Sequence, residues 1–384
     1  MRSHFLLFFT LILCAQSWGQ SKVVYEEFSS YKLGETRRLK IQLPRDYDTN
    51  TEKSYPIVIV LDANYLFEPV AGNVDYFGYW EDMPEALVVG IMQGESRYDD
   101  CFYDDTNFMP ADRGADFFEF IGMELVPFID ANFRTAKFII AVGHDITASY
   151  INYYLFKDPP LFNGYIALSP DLAPMMDDRL PKRIPNIPQK LFYYLATGTD
   201  DIQDLQLVAQ ELNTSLSALK SEQFNYYFDN FEGATHYSLV ARAIPSALEK
   251  IFSIYRPISK QEFNDVLLKL ETPVHLYLLD KYQTIANLFG INNPIRINDF
   301  LASASACEKL KQWESLREIA TLATRQYPDL ILGDYYMGRY YEEIGDPKRA
   351  MRTFQGGFDK EEVDFITVDL MLDKADQIKY DFGY

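Results

Sequence analysis

Cysteine is scarce in this chain: three residues in 384, one of them at position 14 near the start. Cys101 and Cys307 cannot make a disulfide framework, and no Cys/His cluster has the spacing of a metal site. Two buried, unpaired thiols are expected, with a single disulfide in an oxidising compartment as the alternative. Positive charge is also short. There are 36 Lys and Arg against 56 Asp and Glu, a net charge of -20 at pH 7. That balance excludes a nucleic-acid partner, because phosphate binding needs clustered basic side chains. It is compatible with cationic or neutral ligands. Long apolar runs are missing too. The one from Phe5 to Leu13 is far shorter than the ~20 residues that a membrane-spanning helix needs. No cofactor motif is found.

What is present begins with a leader. Arg2 supplies positive charge, Phe5 to Leu13 an apolar stretch, and Ser17-Trp18-Gly19 small residues around a cleavage point. Residues 1–19 are therefore expected to be a signal peptide cleaved before Gln20, placing the mature protein in the periplasm or outside the cell. Lipidation at Cys14 is not expected, because Leu13 stands where a small residue would precede a lipidated cysteine.

From Tyr25 onward the pattern alternates. Arg38–Leu43 alternates polar and apolar residues, as a half-exposed strand does. Tyr55–Leu61 and Ala86–Ile91 are short apolar runs of the kind buried on both faces of a sheet. Further strands are expected at Phe138–Val142, Tyr165–Leu168, Leu191–Ala196 and Phe224–Phe228. Helices are expected at Asp116–Phe133 and Asp204–Lys220. This alternation predicts an α/β fold, a mostly parallel sheet with helices on both faces, over residues 20–255. Beyond Tyr255 the period is helical. Two stretches superpose at an offset of 34 residues, with Gly338, Tyr341, Gly345 and Ala350 at positions usual for a tetratricopeptide unit. Residues 256–384 are expected to form an all-α domain carrying such repeats over about 297–364. Tyr335, Tyr336 and Arg339 on the repeat surface are the candidate contact for a protein partner.

The most informative segment is Lys137–Phe156. An apolar strand runs to Val142, then Gly143-His144-Asp145-Ile146-Thr147, then a helix-like run from Ser149. Strand, sharp turn and helix are the context of a nucleophile elbow, usually Gly-x-Ser-x-Gly. Here Asp145 occupies the serine slot and Thr147 the second glycine slot, where its side chain is expected to disturb a tight turn.

Leu43-Pro-Arg-Asp-Tyr-Asp48 followed by Tyr55–Asp62 resembles the opening of the esterase D and siderophore-esterase branch of the α/β-hydrolases. Glu124–Ile129 with Phe133-Arg134 resembles the helix before the elbow in that branch. Leu161–Pro170 resembles the strand after it, and Gly233-Ala-Thr-His236 the loop that carries its base. The resemblance runs from about Tyr25 to Tyr255. It implies a serine-esterase arrangement of nucleophile, histidine base, orienting acid and oxyanion donors. Carried over residue by residue, the nucleophile position is Asp145, the base His236, and the acid Asp201 with Asp200 as the fallback. The oxyanion donors would be the N–H of Ile146 and one from Ala63 or Asn64. His144 is read as a packing residue, and His275 has no visible partner.

Asp145 leaves three readings. A carboxylate is a poor acyl nucleophile, since attack on an ester gives a mixed anhydride, and its charge opposes an oxyanion forming ~3 Å away. The first reading is therefore a degenerate hydrolase that binds an ester-like ligand or a protein. The second is an active hydrolase using Asp145 as nucleophile, as epoxide hydrolases and haloalkane dehalogenases use theirs, with His236 activating water. The third is residual esterase activity with Asp145 as a base for water.

Overall fold

The structure, a computed structural model, describes residues 21–384; the expected leader and its cleavage point lie outside the described residues. Strand β1 is Lys22–Ser30, β2 Glu35–Leu43, β3 Tyr55–Val60, β4 Leu87–Ile91, β5 Thr135–His144, β6 Gly164–Leu168, β7 Leu191–Asp200 and β8 Phe224–Thr235. They form one sheet in the order β1-β2-β4-β3-β5-β6-β7-β8. The first three neighbours in this row, β1, β2 and β4, pair antiparallel, and every later pairing is parallel.

The apolar runs explain the centre. Every residue of β3 is buried. Period-two alternation sends Ile57 and Ile59 into the core on one face and Val58 and Val60 into the core on the other. In β5, Ile139 and Ala141 likewise oppose Phe138, Ile140 and Val142. Each fully buried Val or Ile contributes about 1.5–3 kcal/mol, so both faces demand a helical cover. The helices Phe67–Tyr79 and Ser238–Ile251 cover one face. Helix Gln203–Ser217 and the segment around Phe117–Leu125 cover the other.

Some elements differ from the sequence pattern. The helix expected at Asp116–Phe133 is three pieces: Asp112–Glu119, a π-helical turn Phe120–Leu125, and Val126–Asn132. Pro127 has no N–H to give an i→i−4 bond, which accounts for the wider turn just before it. Helices Phe67–Tyr79, Met176–Arg183 and Ser238–Ile251 escape the periodic reading; Pro69 falls in the first turn of its helix, where no bond is lost, while Pro181 and Pro245 lie inside theirs. Their buried apolar faces outweigh that local penalty.

Among the described residues no strand after Tyr255 joins the sheet. Helices Ile297–Leu310 and Trp313–Gln326, then Leu332–Glu343 and Pro347–Gly356, follow in succession around their own core, closed by Val368–Phe382. Gly338 lets the Phe354 ring approach: a Cβ there would fall 2.4 Å from a ring carbon. The helical region is fastened to the sheet and is not a free layer. Phe289, from helix Val274–Phe289, packs on Phe138 and Phe252 with ring centroids 4.9 and 5.1 Å away. Arg296 reaches Glu81 at 2.6 Å and lies over the Tyr255 ring.

The candidate partner surface requires correction. Tyr335 and Tyr336 are buried within the helical core, and Arg339 is committed to Glu308, Glu342 and Glu343. Helical spacing does not say which face of the helix stays exposed, and stacking of the hairpins buries these rings. Cys101 and Cys307 are both unpaired and buried.

Candidate active site

The carboxyl ends of the parallel strands converge at one edge of the sheet, where open α/β sheets place their ligands. Asp62 follows β3, Asp145 follows β5, Ser169 follows β6, Asp201 follows β7 and His236 follows β8.

Asp145 adopts φ 61° and ψ -125°, a backbone conformation that non-glycine residues rarely take. It presents its side chain at the head of helix Ile146–Tyr150. Gly143 makes the turn possible, because a Cβ there would fall 2.5 Å from the Thr147 carbonyl oxygen. Thr147 does not disturb the elbow, contrary to the expectation. It is fully buried, and its Oγ1 lies 2.8 Å from Asp62 Oδ2 and 2.9 Å from both the N–H and the carbonyl oxygen of His144. A hydroxyl at this position ties the elbow to the end of β3.

His236 Nδ1 lies 2.9 Å from Asp201 Oδ1. Asp201 also accepts from the Ile202 N–H at 2.8 Å and from Thr197 Oγ1 at 3.0 Å. Burial raises the Asp201 pKa, but the bonds from His236, Ser169, Ile202 and Thr197 outweigh it and hold the carboxyl at about 2. A carboxylate facing Nδ1 fixes the proton there and leaves Nε2 with its lone pair. No protein group among the described residues bonds Nε2. Asp200 is exposed and, among the described residues, accepts only from the Thr199 hydroxyl and makes no bond to His236, so it is not the partner. Ser169, not singled out in the sequence, lies 3.1 Å from the same Nδ1. Its hydroxyl supports the His–Asp pair from the side opposite Nε2.

His144 is more than packing. Its ring centroid is 4.3 Å from that of His236, and its Nε2 lies 3.1 Å from the His236 carbonyl oxygen. Nδ1 meets the Tyr65 hydroxyl at 3.0 Å. Burial, then the neighbouring His236, lowers the His144 pKa to about 4, so the ring is neutral at pH 7. Its Nε2–H therefore donates to His236 and holds that loop in place. The other sequence-flagged histidine, His275, pairs with Ser315 Oγ at 3.0 Å, far from the elbow in sequence and within the helical region.

The residue that sequence reasoning missed is Arg97. Its Nη1 lies 3.2 Å from Asp145 Oδ2, its Nε 2.7 Å from Asp62 Oδ1, and its Nη2 3.1 Å from the His144 carbonyl oxygen. Asp62 is itself buried and held by Thr147, Tyr65 and, through its N–H, Gln93. Burial alone would lower the Arg97 pKa; Asp62, Tyr65 and Asp145 raise it, and the guanidinium stays charged. The carboxylate in the serine slot is thus ion-paired to Arg97 and makes no hydrogen bond to His236. The one signal in the sequence was a lone arginine six residues past β4, at the start of the short helix Arg97–Asp100, and no spacing rule connects it to Asp145.

Of the oxyanion donors, Ile146 N–H is free at the helix start. Ala63 is excluded, since its N–H is committed to the Ile91 carbonyl at 3.1 Å. The Asn64 N–H has no acceptor among the described residues, while its side chain holds Gly94 at 3.0 Å. Beside Ile146 opens a cavity of about 400 Å³ walled by aromatic side chains. Among the described residues no group of side chains could hold a metal, and no helix is long and apolar enough to cross a membrane.

The esterase family model, whose description reads "Putative esterase", matches residues 30–240, more than half of the chain. An uncharacterised protein from Capnocytophaga ochracea is 30% identical; the match covers 94% of this chain and 100% of that one, with a TM-score of 0.84. An IroE-like serine hydrolase from Shewanella oneidensis is 19% identical over 79% of this chain and 99% of that one, TM-score 0.58. The BES protein from Bacillus cereus is 20% identical over 65% and 99%, TM-score 0.51. The last two share the fold. No curated protein matches the chain.

Proposed function

We propose, for a chain that belongs to the esterase family of α/β-hydrolases, the role of an exported, non-hydrolytic ligand-binding protein. The observation that carries this reading is the ion pair between Asp145 and Arg97 at the nucleophile position. A serine elbow works because His236 would take a proton from the nucleophile as it attacks. Asp145 offers a carboxylate where the serine hydroxyl would stand, and its lone pairs are shared with a guanidinium. Arg97 offsets part of the repulsion toward an oxyanion, but by the same contact it lowers the carboxylate's nucleophilicity. Acyl transfer through a mixed anhydride is then closed, while the cavity and the free N–H groups remain for binding. The leader at residues 1–19 supports export to the periplasm or beyond.

A second reading rests on the retained His236–Asp201 pair, whose Nε2 is free to activate water. Asp145 would attack a saturated carbon, releasing halide or breaking an epoxide C–O bond whose oxygen takes up a proton from solvent, and His236 would take a proton from the water that hydrolyses the resulting ester and frees Asp145.

One set of measurements separates the two. The mature protein and Asp145→Ser are assayed on aryl esters, with His236→Ala in the serine background. The binding reading expects no turnover above background by the natural protein, and at least trace turnover by Asp145→Ser that His236→Ala removes. Robust ester turnover that survives Asp145→Ala would overturn it. A covalent ester on Asp145, seen by mass spectrometry after an epoxide or alkyl halide is supplied, would establish the second reading.

A further inference from the structure

The cavity beside the elbow has a chemical character of its own. Tyr103, Tyr150 and Tyr153 form its inner wall, and Tyr98 and Phe102 stand exposed at its mouth. The hydroxyls of Tyr150 and Tyr153 are committed to the carbonyls of Gly114 and Phe108, at 2.7 and 2.9 Å. What these two residues offer the cavity is therefore ring surface. Among the described residues, the charged side chains on the wall are Asp105 and Asp171, and no Lys, Arg or His lines it.

The negative field reaches the interior. The Tyr103 phenol is raised by burial and then by Asp171 and Asp105. The Asp171 carboxyl is raised by burial and by Asp145. The cations beside the wall are Arg97, whose guanidinium lies 5.7 Å from the Tyr98 ring centroid, and Arg179, whose charge acts on the Tyr153 phenol and which is held by the Asn107 carbonyl oxygen and Met109 Sδ. Each nitrogen of Arg97 already donates once, to Asp62, Asp145 and the His144 carbonyl oxygen, so two carboxylates already offset its charge. Aromatic faces with carboxylates at the rim and no cation on the wall are the environment that attracts a quaternary or primary ammonium.

Resting on the ligand-binding reading above, we infer that this cavity takes an organic cation, an ammonium group carried on an aromatic or alkyl body. Rings enclose the apolar body, and Asp171 and Asp105 face the charge. Replacing serine by Asp145 adds negative charge where a hydrolase would need to stabilise an oxyanion, which suits a cation and opposes an ester carbonyl.

The test is calorimetric titration of the mature protein with three probes of similar size: benzyltrimethylammonium, 2-phenylethanol and phenylacetate. The cation is expected to bind at least tenfold more tightly than the alcohol, and phenylacetate more weakly still. Asp171→Asn should reduce the cation's advantage over the alcohol at least threefold while leaving the alcohol's affinity unchanged. Tyr103→Leu should weaken the cation more than the alcohol. Phenylacetate binding as tightly as the cation would overturn the inference, because Arg97 would then be the recognition element. Equal affinity for cation and alcohol, or no binding of any probe, would overturn it as well. These titrations need no turnover, so their failure is distinct from the discovery of catalysis in the ester assays.

Discussion

Arg97 Nη1 stands 3.2 Å from Asp145 Oδ2, so the residue in the nucleophile slot faces a guanidinium instead of the histidine three strands away. The same guanidinium is anchored more deeply by Asp62, whose side chain is 3% exposed. Arg97→Met would leave a buried carboxylate without its counter-charge. The expected loss is about 3 kcal/mol at pH 7 by denaturant unfolding. Arg97→Met with Asp145→Asn should recover roughly 1 kcal/mol of it. A loss below measurement error for Arg97→Met would show that solvent supports both carboxylates.

The buried His144 makes stability pH-dependent in a definite direction. Its folded pKa, about 4, lies below the ordinary value of 6.5. The folded state therefore favours the neutral ring, and the stabilisation is complete above pH 6.5 and lost as pH falls toward 4. The loss by pH 4 is on the order of 3 kcal/mol. Asp201, held at about 2, gives way only below the ordinary carboxylate range. Unfolding midpoints at pH 7, 5.5 and 4 should fall steadily for the natural protein. His144→Gln should show a shallower decline over that interval, whatever its stability at pH 7.

Thr147 replaces the small residue usual at its position, and its hydroxyl holds the elbow to Asp62. Thr147→Val keeps the shape and removes the donor from a buried carboxylate. A cost of about 2 kcal/mol is expected. Thr147→Ser keeps the hydroxyl and should cost about 1 kcal/mol for the lost methyl. Reversal of that order in thermal or denaturant unfolding would refute the role given to the hydroxyl.

Phe289 joins the helical region to the sheet through Phe138 and Phe252. Phe289→Ala should cost about 3–5 kcal/mol. It should also speed hydrogen exchange of the β5 amides, not only of helix Val274–Phe289. Exchange changes confined to the helical region would mean that the two parts unfold independently.

How much of this was legible beforehand follows from the range of the interactions concerned. Tyr55–Val60 and Phe138–Val142 declared themselves because a strand segment buried on both faces is apolar throughout, a property of consecutive residues. The elbow was visible for the same reason: strand, Gly143 and helix are adjacent in the chain. His236 and Asp201 were found through the order of motifs, with Asp200 beside Asp201 left open until register and hydrogen bonds distinguished them. The tyrosines at 335 and 336 could not be placed, since helical spacing does not say which face a neighbouring hairpin will cover. Arg97 was out of reach altogether. It lies 48 residues before Asp145 and 35 after Asp62, and only the alignment of parallel strands at one edge of the sheet brings the three together. The sequence alone determined that a hydrolase scaffold holds an aspartate where a serine is expected. The tertiary structure decided what that aspartate faces, because an ion pair depends on distance in space and not on separation along the chain.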